Sequence, residues 1–309
     1  MNPARSALLW ASRNEWLKTH VPRWSFVRRA VKRFMPGEQL EDALQAAKQL
    51  QEKGFFTIFT RLGENITNLE EAAAVRDHYL QMVDAIQEKQ LPTEISLKLT
   101  QLGLDHALEK ATEFLITIAR YAGERDIPVW IDMEDSTYVD VTLAVYREAR
   151  QAVNTVGICL QAYLYRTEQD LMELLTKPAA IRLVKGAYQE PPSVAFPRKR
   201  DVDANYLKLT RHLLEAKQAD ARHRLVFGTH DANIIRRTIE MATDLKLDTT
   251  DYEFHMLYGI ATDLQHHLRQ RGQQVGVLIS YGDAWYPWYM RRLAERPANV
   301  WFVLKHLLT

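Results

Sequence analysis

Residues 128–162 read PVWIDMEDSTYVDVTLAVYREARQAVNTVGICLQA. Two short runs rich in β-branched and aromatic residues, Pro128–Met133 and Thr155–Ala162, flank a longer stretch, Val139–Ala152, with helical spacing of its apolar positions. A strand, a helix and a second strand in that order form a unit whose strands run parallel. Upstream the same alternation gives strands at Phe55–Thr60 and Glu94–Leu99. Downstream it gives strands at Ala180–Lys185, Arg224–Thr229, Tyr252–Leu257 and Gln274–Ser280. Helical patterns fall between them at Leu69–Lys89, His106–Ala122, Glu168–Leu175 and Ala204–Gln218. Eight strands alternating with helices is the number that closes a parallel sheet into a barrel. A doubly wound sheet would bring a glycine-rich phosphate turn after an early strand, and no G-x-G-x-x-G or P-loop string occurs. The expected fold is therefore α/β, a (β/α)8 barrel of TIM type. Helices near Pro287–Glu295 and Asn299–Leu308 are expected to cover the closing strand.

The N-terminal part reads as helical. Trp24 to Phe34 mixes aromatics with Arg28, Arg29, Lys32 and Arg33, and Pro36-Gly37 breaks the pattern. Leu40, Ala43, Leu44, Ala47 and Leu50 then fall at helical spacing in Leu40–Glu52, which Gly54 ends. This suggests an N-terminal helical arm over residues 1–53 packed on a barrel of residues 54–309.

Composition narrows the function. The 309 residues are 47% hydrophobic and 26% charged, an ordinary globular profile with enough apolar content for a large core. A formal net charge of +1 provides no global field for nucleic acid. No apolar run is long enough to span a bilayer. The opening MNPARSALLWASRNEWLKTH lacks a secretory pattern, so the cytoplasm is the expected location. The single cysteine, Cys159, allows no intramolecular disulfide, and no Cys/His spacing suggests a metal site.

In α/β barrels chemistry gathers at the C-terminal ends of the strands. Those ends carry Lys98, Asp132-Met133-Glu134-Asp135, Gln161, Arg182 with Lys185-Gly186-Ala187-Tyr188, and Gly228-Thr229-His230-Asp231. Tyr281-Gly282-Asp283 follows the last strand, and the next helix carries Arg291-Arg292. Each has an ordinary structural reading as well. Lys98 could be an edge lysine, Asp132 a helix cap, Thr229-His230-Asp231 a plain turn, and Arg291-Arg292 a solvated face. Arg182 is different: between Ile181 and Leu183-Val184 it needs a buried partner or an anionic ligand. Arginines and a lysine in one cup suit a carboxylate or a phosphate, and Gly186 would let a cofactor approach the backbone.

Longer strings add a resemblance. RLVKGAYQEPPSVAFPRKRDVDANY from Arg182, EFHMLYGI from Glu253 and WYPWYMRRLAERPANVWFVLKHLL from Trp285 resemble the proline dehydrogenase family, in its single-function bacterial form. ISLKLTQLG, DMEDS and GTHD fit the same family in the same order. The resemblance implies a distorted barrel that holds FAD, oxidises proline to 1-pyrroline-5-carboxylate and passes electrons to a membrane quinone. It implies that Arg291 and Arg292 clamp the substrate carboxylate with help from Lys98, and that Asp132 pairs with Lys98. By the same resemblance Arg182 lies near the flavin N5. Met133, Gln161, Lys185, Gly186, Ala187, Thr229 and His230 would contact FAD, and Glu64 would pair with a clamp arginine as a gate. A quinone acceptor would also make weak membrane contact by the basic N-terminal helix reasonable.

Three positions depart from the family. Leu278 and Trp288 stand where the family has tyrosines lining the proline ring, and His255 stands where it has glutamine. Substrate choice therefore turns on the shape around Leu257, Leu278 and Trp288, and 4-hydroxyproline or another cyclic or N-alkyl amino acid is a second candidate. Two readings from other classes stay open: a Schiff-base lyase using Lys185, and a non-catalytic barrel that keeps the flavin.

Overall fold

The computed structural model describes residues 31–63 and 66–295, together with Leu8, Trp10, Ala11, residues 14–21, Trp24 and Val27. Within α10 and α1, defined below, the side chains of Glu15, Lys18, Arg291, Arg292, Ala294 and Glu295 are outside that description.

Eight parallel strands close on themselves in sequence order. They are β1 (Phe56–Arg61), β2 (Thr93–Leu97), β3 (Val129–Ile131), β4 (Val156–Gln161), β5 (Ala180–Val184), β6 (Arg224–Gly228), β7 (Tyr252–Leu257) and β8 (Gln274–Tyr281). Closure runs along the β1–β8 seam, from Phe56 opposite Gly276 to Arg61 opposite Tyr281. The described helices are α1 (Glu15–His20), α2 (Leu40–Gln51), α3 (Leu69–Glu88), α4 (Leu108–Gly123), α5 (Val139–Ala152) and α6 (Thr167–Leu174). They continue with α7 (Lys199–Ala219), α8 (Ala232–Asp244), α9 (Thr262–Gln270) and α10 (Trp285–Glu295).

Strands with both faces covered read as nearly continuous apolar runs, which is why the sequence shows them so clearly. The layer between helices and sheet is one large apolar cluster running from Ala43 on α2 to Tyr281 on β8. The barrel interior holds a separate small cluster of Ile58, Trp130 and Val226. Because successive strand residues alternate between faces, positions two apart share the interior. Arg182, Asp132 and Leu278 therefore face inward.

One expectation about the final helices is corrected. α10 does not cover the closing strand; its Trp285, Tyr286, Trp288 and Tyr289 pack with Val31, Phe34 and Met35 and with Leu62 and Ile260. The helix packed against both β1 and β8 is α2. Its Ala43, Leu44, Ala46 and Ala47 are buried in the main core. The reason lies in composition. α2 has a narrow stripe of small apolar residues suited to close helix–sheet packing, whereas α10 carries bulky aromatics that pack with the N-terminal segment. Trp285 Nε1 donates to Glu38 Oε1 at 2.9 Å and ties α10 to the chain just before α2. The expected helix at Asn299–Leu308 lies outside the described residues.

Candidate functional site

A cavity of about 770 Å³ opens at the C-terminal ends of the strands. Lys98, Asp132, Met133, Gln161 and Arg182 line it from β2 to β5. Lys185, Gly186, Ala187, Thr229 and His230 line it from the loops after β5 and β6. Leu257, Leu278 and Trp288 close the side toward β7, β8 and α10. Arg291 and Arg292 stand on α10 three and four residues after Trp288, and their side chains lie outside the description, as does Glu64 altogether.

Arg182 is 2% exposed and projects from mid-β5 into the barrel. Its Nη2 donates to Ser96 Oγ at 2.8 Å and forms a short ion pair with Asp132 Oδ1. Ser96 Oγ in turn donates to the same carboxylate oxygen at 3.0 Å. Lys98 Nζ stands 3.8 Å from Asp132 Oδ2. Asp132 thus pairs with Arg182 and Lys98 together, and it is not a helix cap: the neighbouring Asp135 fills that role by accepting from Thr137 N. Arg182 Nη1 is buried and makes no hydrogen bond within the protein. A buried guanidinium that leaves an N–H unmatched at a cavity wall is set to meet an acceptor on a ligand.

Gln161 ends β4 with Nε2 donating to Glu134 O at 3.0 Å, while its Oε1 is buried without a partner. Glu134 accepts from Thr100 N at 3.1 Å and from Thr100 Oγ1 at 2.6 Å, which joins the ends of β2 and β3. His230 Nε2 accepts from Leu257 N at 2.8 Å, so the neutral ring carries its proton on Nδ1. Thr229-His230-Asp231 is also a helix start, as Asp231 accepts from Asn233 N at 3.2 Å at the N-terminus of α8.

Lys185 is held by Asp203 Oδ1 at 2.5 Å and Asp231 Oδ2 at 2.8 Å. Burial alone would raise the Asp231 pKa, but Lys185 and Lys199 overcome it and hold the carboxyl at about 2. An ammonium locked between two carboxylates is a poor start for a Schiff-base nucleophile, which needs a free lone pair. Burial pushes the Cys159 thiol up, in keeping with a core residue.

Gly186 follows β5 and lines the cavity. Its φ of +111° suits glycine, and a Cβ there would fall 2.3 Å from the Tyr163 ring. The missing side chain admits Tyr163, whose hydroxyl reaches Glu190 Oε1 at 3.3 Å. Glu190 also accepts from Ser136 N and Ser136 Oγ at 2.7 and 2.6 Å, pinning the loop after β5 to the loop after β3. Sequence reading missed Ser96, Asp203 and Glu190. Only Asp203 had a signal, four residues after Lys199 and therefore on the same helix face.

The model of one protein family, proline dehydrogenase, matches residues 43–305. The chain belongs to the proline dehydrogenase family. A member from Bacillus subtilis subsp. natto, proline dehydrogenase 1, is 36% identical over 304 residues, 98% of this chain and 99% of its own length. The proline dehydrogenase of Deinococcus radiodurans is 35% identical over 286 residues, covering 89% of each chain. Among solved structures, proline utilization A from Bdellovibrio bacteriovorus inactivated by N-propargylglycine superposes with a TM-score of 0.80 at 22% identity. That match covers 94% of this chain and 38% of the larger one, and it shows the shared barrel. Among the described residues of this family member, no helix is long and apolar enough to cross a membrane and no group of three or more His, Cys, Asp or Glu could hold a metal.

Proposed function

We propose that this proline dehydrogenase family member oxidises L-proline to 1-pyrroline-5-carboxylate with FAD in the barrel mouth and a quinone as the onward acceptor. The observation that carries the reading is the family match over nearly the whole chain, at a mouth whose deepest cation keeps an unmatched N–H. The residues fit a flavin on two further counts. Gln161 and Arg182 line the cavity, and Gln161 Oε1 and Arg182 Nη1 are buried polar atoms without partners. The volume of about 770 Å³ lies high in the usual range of about 300–1,000 Å³ for small-molecule sites, more than one small amino acid fills.

The oxidation takes a hydride from the ring carbon beside nitrogen and a proton from nitrogen, leaving a C=N bond. FAD, when bound, supplies the hydride acceptor. Met133, Gln161, Arg182, Lys185, Gly186, Ala187, Thr229 and His230 would hold it. Arg182 presents a fixed cation to the cavity, and Asp132 with Ser96 sets its direction. Lys98, held near the same Asp132, and Arg291 and Arg292 of α10 would bind the substrate carboxylate. A clamp at that end orients the reacting carbon. Leu257, Leu278 and Trp288 would enclose the ring, with Glu64 as a gate over it.

A second substrate, 4-hydroxyproline, is favoured by one observation. Beside Leu278, where the family has tyrosine, Ser280 lines the cavity with a buried hydroxyl that has no partner. Such a group discriminates in favour of a ring that carries its own hydroxyl. Electron delivery to a quinone would place the enzyme in the cytoplasm against the inner face of the membrane. Trp10, Trp16 and Trp24, exposed at 64%, 58% and 44%, suit weak contact there.

An anaerobic absorbance titration of the FAD-loaded protein tests the reading. L-proline should bleach the flavin band and yield a pyrroline adduct with o-aminobenzaldehyde. Bleaching by 4-hydroxyproline alone would transfer the reading to that substrate. A band unmoved by any cyclic amino acid would leave the non-catalytic barrel.

A further inference from the structure

Beneath Arg182 the barrel interior holds a second polar layer, whose His255 also lines the mouth. Arg224, at the start of β6, meets Glu94 of β2 at 2.5 Å and Glu253 of β7 at 2.7 Å. Glu94 also accepts from Trp130 Nε1 at 2.6 Å. His255 Nε2 lies 3.4 Å from Glu253 Oε2, and its ring meets the Trp130 ring edge-on at 5.6 Å.

The Trp130 indole joins this layer to the mouth. The Arg182 guanidinium lies 5.1 Å from the indole centroid and the Arg224 guanidinium 5.2 Å from it. Register puts Arg224 opposite Ala180 and Arg182 opposite Val226, one inward step apart along the barrel. The indole therefore spans the level between the two cations. Gly157 on β4 makes the space, since a Cβ there would fall 2.5 Å from the indole ring.

We propose that Trp130 is a positioning residue for Arg182: its ring face holds the guanidinium in the attitude in which Nη2 meets Ser96 and Asp132 at the floor of the mouth, and the Glu94–Arg224–Glu253 layer fixes the indole. Cation–π contact strengthens where water is excluded, and so can select one guanidinium orientation over another. Burial drives His255 toward its neutral form. Lys98, Arg182 and Arg224 are then balanced by Asp132, Glu94 and Glu253. Removing any one of these charges would leave another uncompensated, so the uncharged Trp130 is the position at which to test the role.

The inference rests on FAD occupying the mouth, where a cation held in place favours the reduced, more negative cofactor. The experiment is the midpoint potential of FAD bound to wild-type, Trp130→Leu, Trp130→Phe and Gly157→Ala proteins, measured by spectroelectrochemistry without substrate, with melting temperatures alongside. Trp130→Leu should shift the reduction equilibrium at least tenfold toward the oxidised form, about 30 mV for a two-electron couple. Gly157→Ala, which pushes the intact indole aside, should follow it. Trp130→Phe keeps a ring face but loses the Nε1 bond to Glu94, and should fall between wild type and Trp130→Leu. A folded Trp130→Leu protein with the wild-type potential overturns the proposal, and so does a Trp130→Phe protein that falls as far as Trp130→Leu. If Trp130→Leu does not fold, Gly157→Ala against wild type decides. Wild-type protein that takes up no FAD removes the flavin reading and this one together; wild-type uptake with unmoved variants removes this one alone.

Discussion

Leu278 sits at the inward register of β8, between Ile58 of β1 and Leu257 of β7. A tyrosine there would add a ring and a hydroxyl to a wall shared with Ser280 and Trp288. Leu278→Tyr should therefore move the ratio of kcat/KM for proline over 4-hydroxyproline at least tenfold toward proline, since pocket changes of this size are worth roughly 1–3 kcal/mol. Steady-state assays on both substrates check it, and an unchanged ratio would remove Leu278 from the ring pocket. The sequence made some residues legible and hid others for physical reasons. Arg182 stood out because its apolar neighbours leave an arginine no route to water, and the structure supplies the partner that placement demands in Asp132. Ser96 gave no sign: a small hydroxyl inside a strand reads as ordinary until Arg182 and Asp132 converge on it from other strands. The layer under Arg182 was equally hidden, because Glu94 and Arg224 meet across 130 residues of chain.

Strand positions were readable to within about two residues at either end, because a buried parallel strand leaves a continuous apolar run. α7 was not: it begins at Lys199, five residues ahead of its apolar pattern, and the added turn is entirely charged or polar apart from Val202. That turn does structural work at the mouth. Asp203 of α7 and Asp231 at the start of α8 share Lys185 just after β5, and Lys199 bridges both carboxylates. Asp231→Asn tests the charge alone, since asparagine is an equally good N-cap. With its folded pKa of about 2 below the ordinary 3.8, Asp231 contributes stability that is complete above pH 4 and lost as the pH falls toward 2. The side chain is 27% exposed, so after screening the contribution is on the order of 1 kcal/mol. Urea unfolding should find Asp231→Asn less stable than wild type by that amount at pH 6, with the gap narrowing at pH 3. A gap independent of pH would assign the loss to the cap.

At the scale of the molecule, the slot outside β1 and β8 is filled from the N-terminal side of the sequence. The helix pattern in Leu40–Glu52 was plain, but periodicity shows that a helix has an apolar face and not which strands that face meets. We propose that residues 1–53 form an arm on the barrel of residues 54–309, with its last helix serving as barrel wall and its first part as the surface turned to the membrane. Two truncations separate those roles. Removing residues 1–53 takes away Ala43, Leu44, Ala46 and Ala47 and uncovers Phe55 and Phe59. Burial of one leucine-sized side chain is worth about 1.5–3 kcal/mol against a total stability of about 5–15 kcal/mol. That protein should be insoluble or lack a cooperative melt. Removing residues 1–36 keeps α2 but takes away Trp10, Trp16 and Trp24, along with Val31, Phe34 and Met35, which pack on α10. This shorter deletion should keep a cooperative melt and FAD uptake. Its KM for the amino acid should rise, because α10, which carries Trp288, Arg291 and Arg292, loses part of its backing. It should also sediment less with vesicles containing anionic lipid than the full chain does. Equal sedimentation of the two would place any membrane contact elsewhere on the molecule, and a cooperative melt after removal of residues 1–53 would show that the barrel closes without its N-terminal wall.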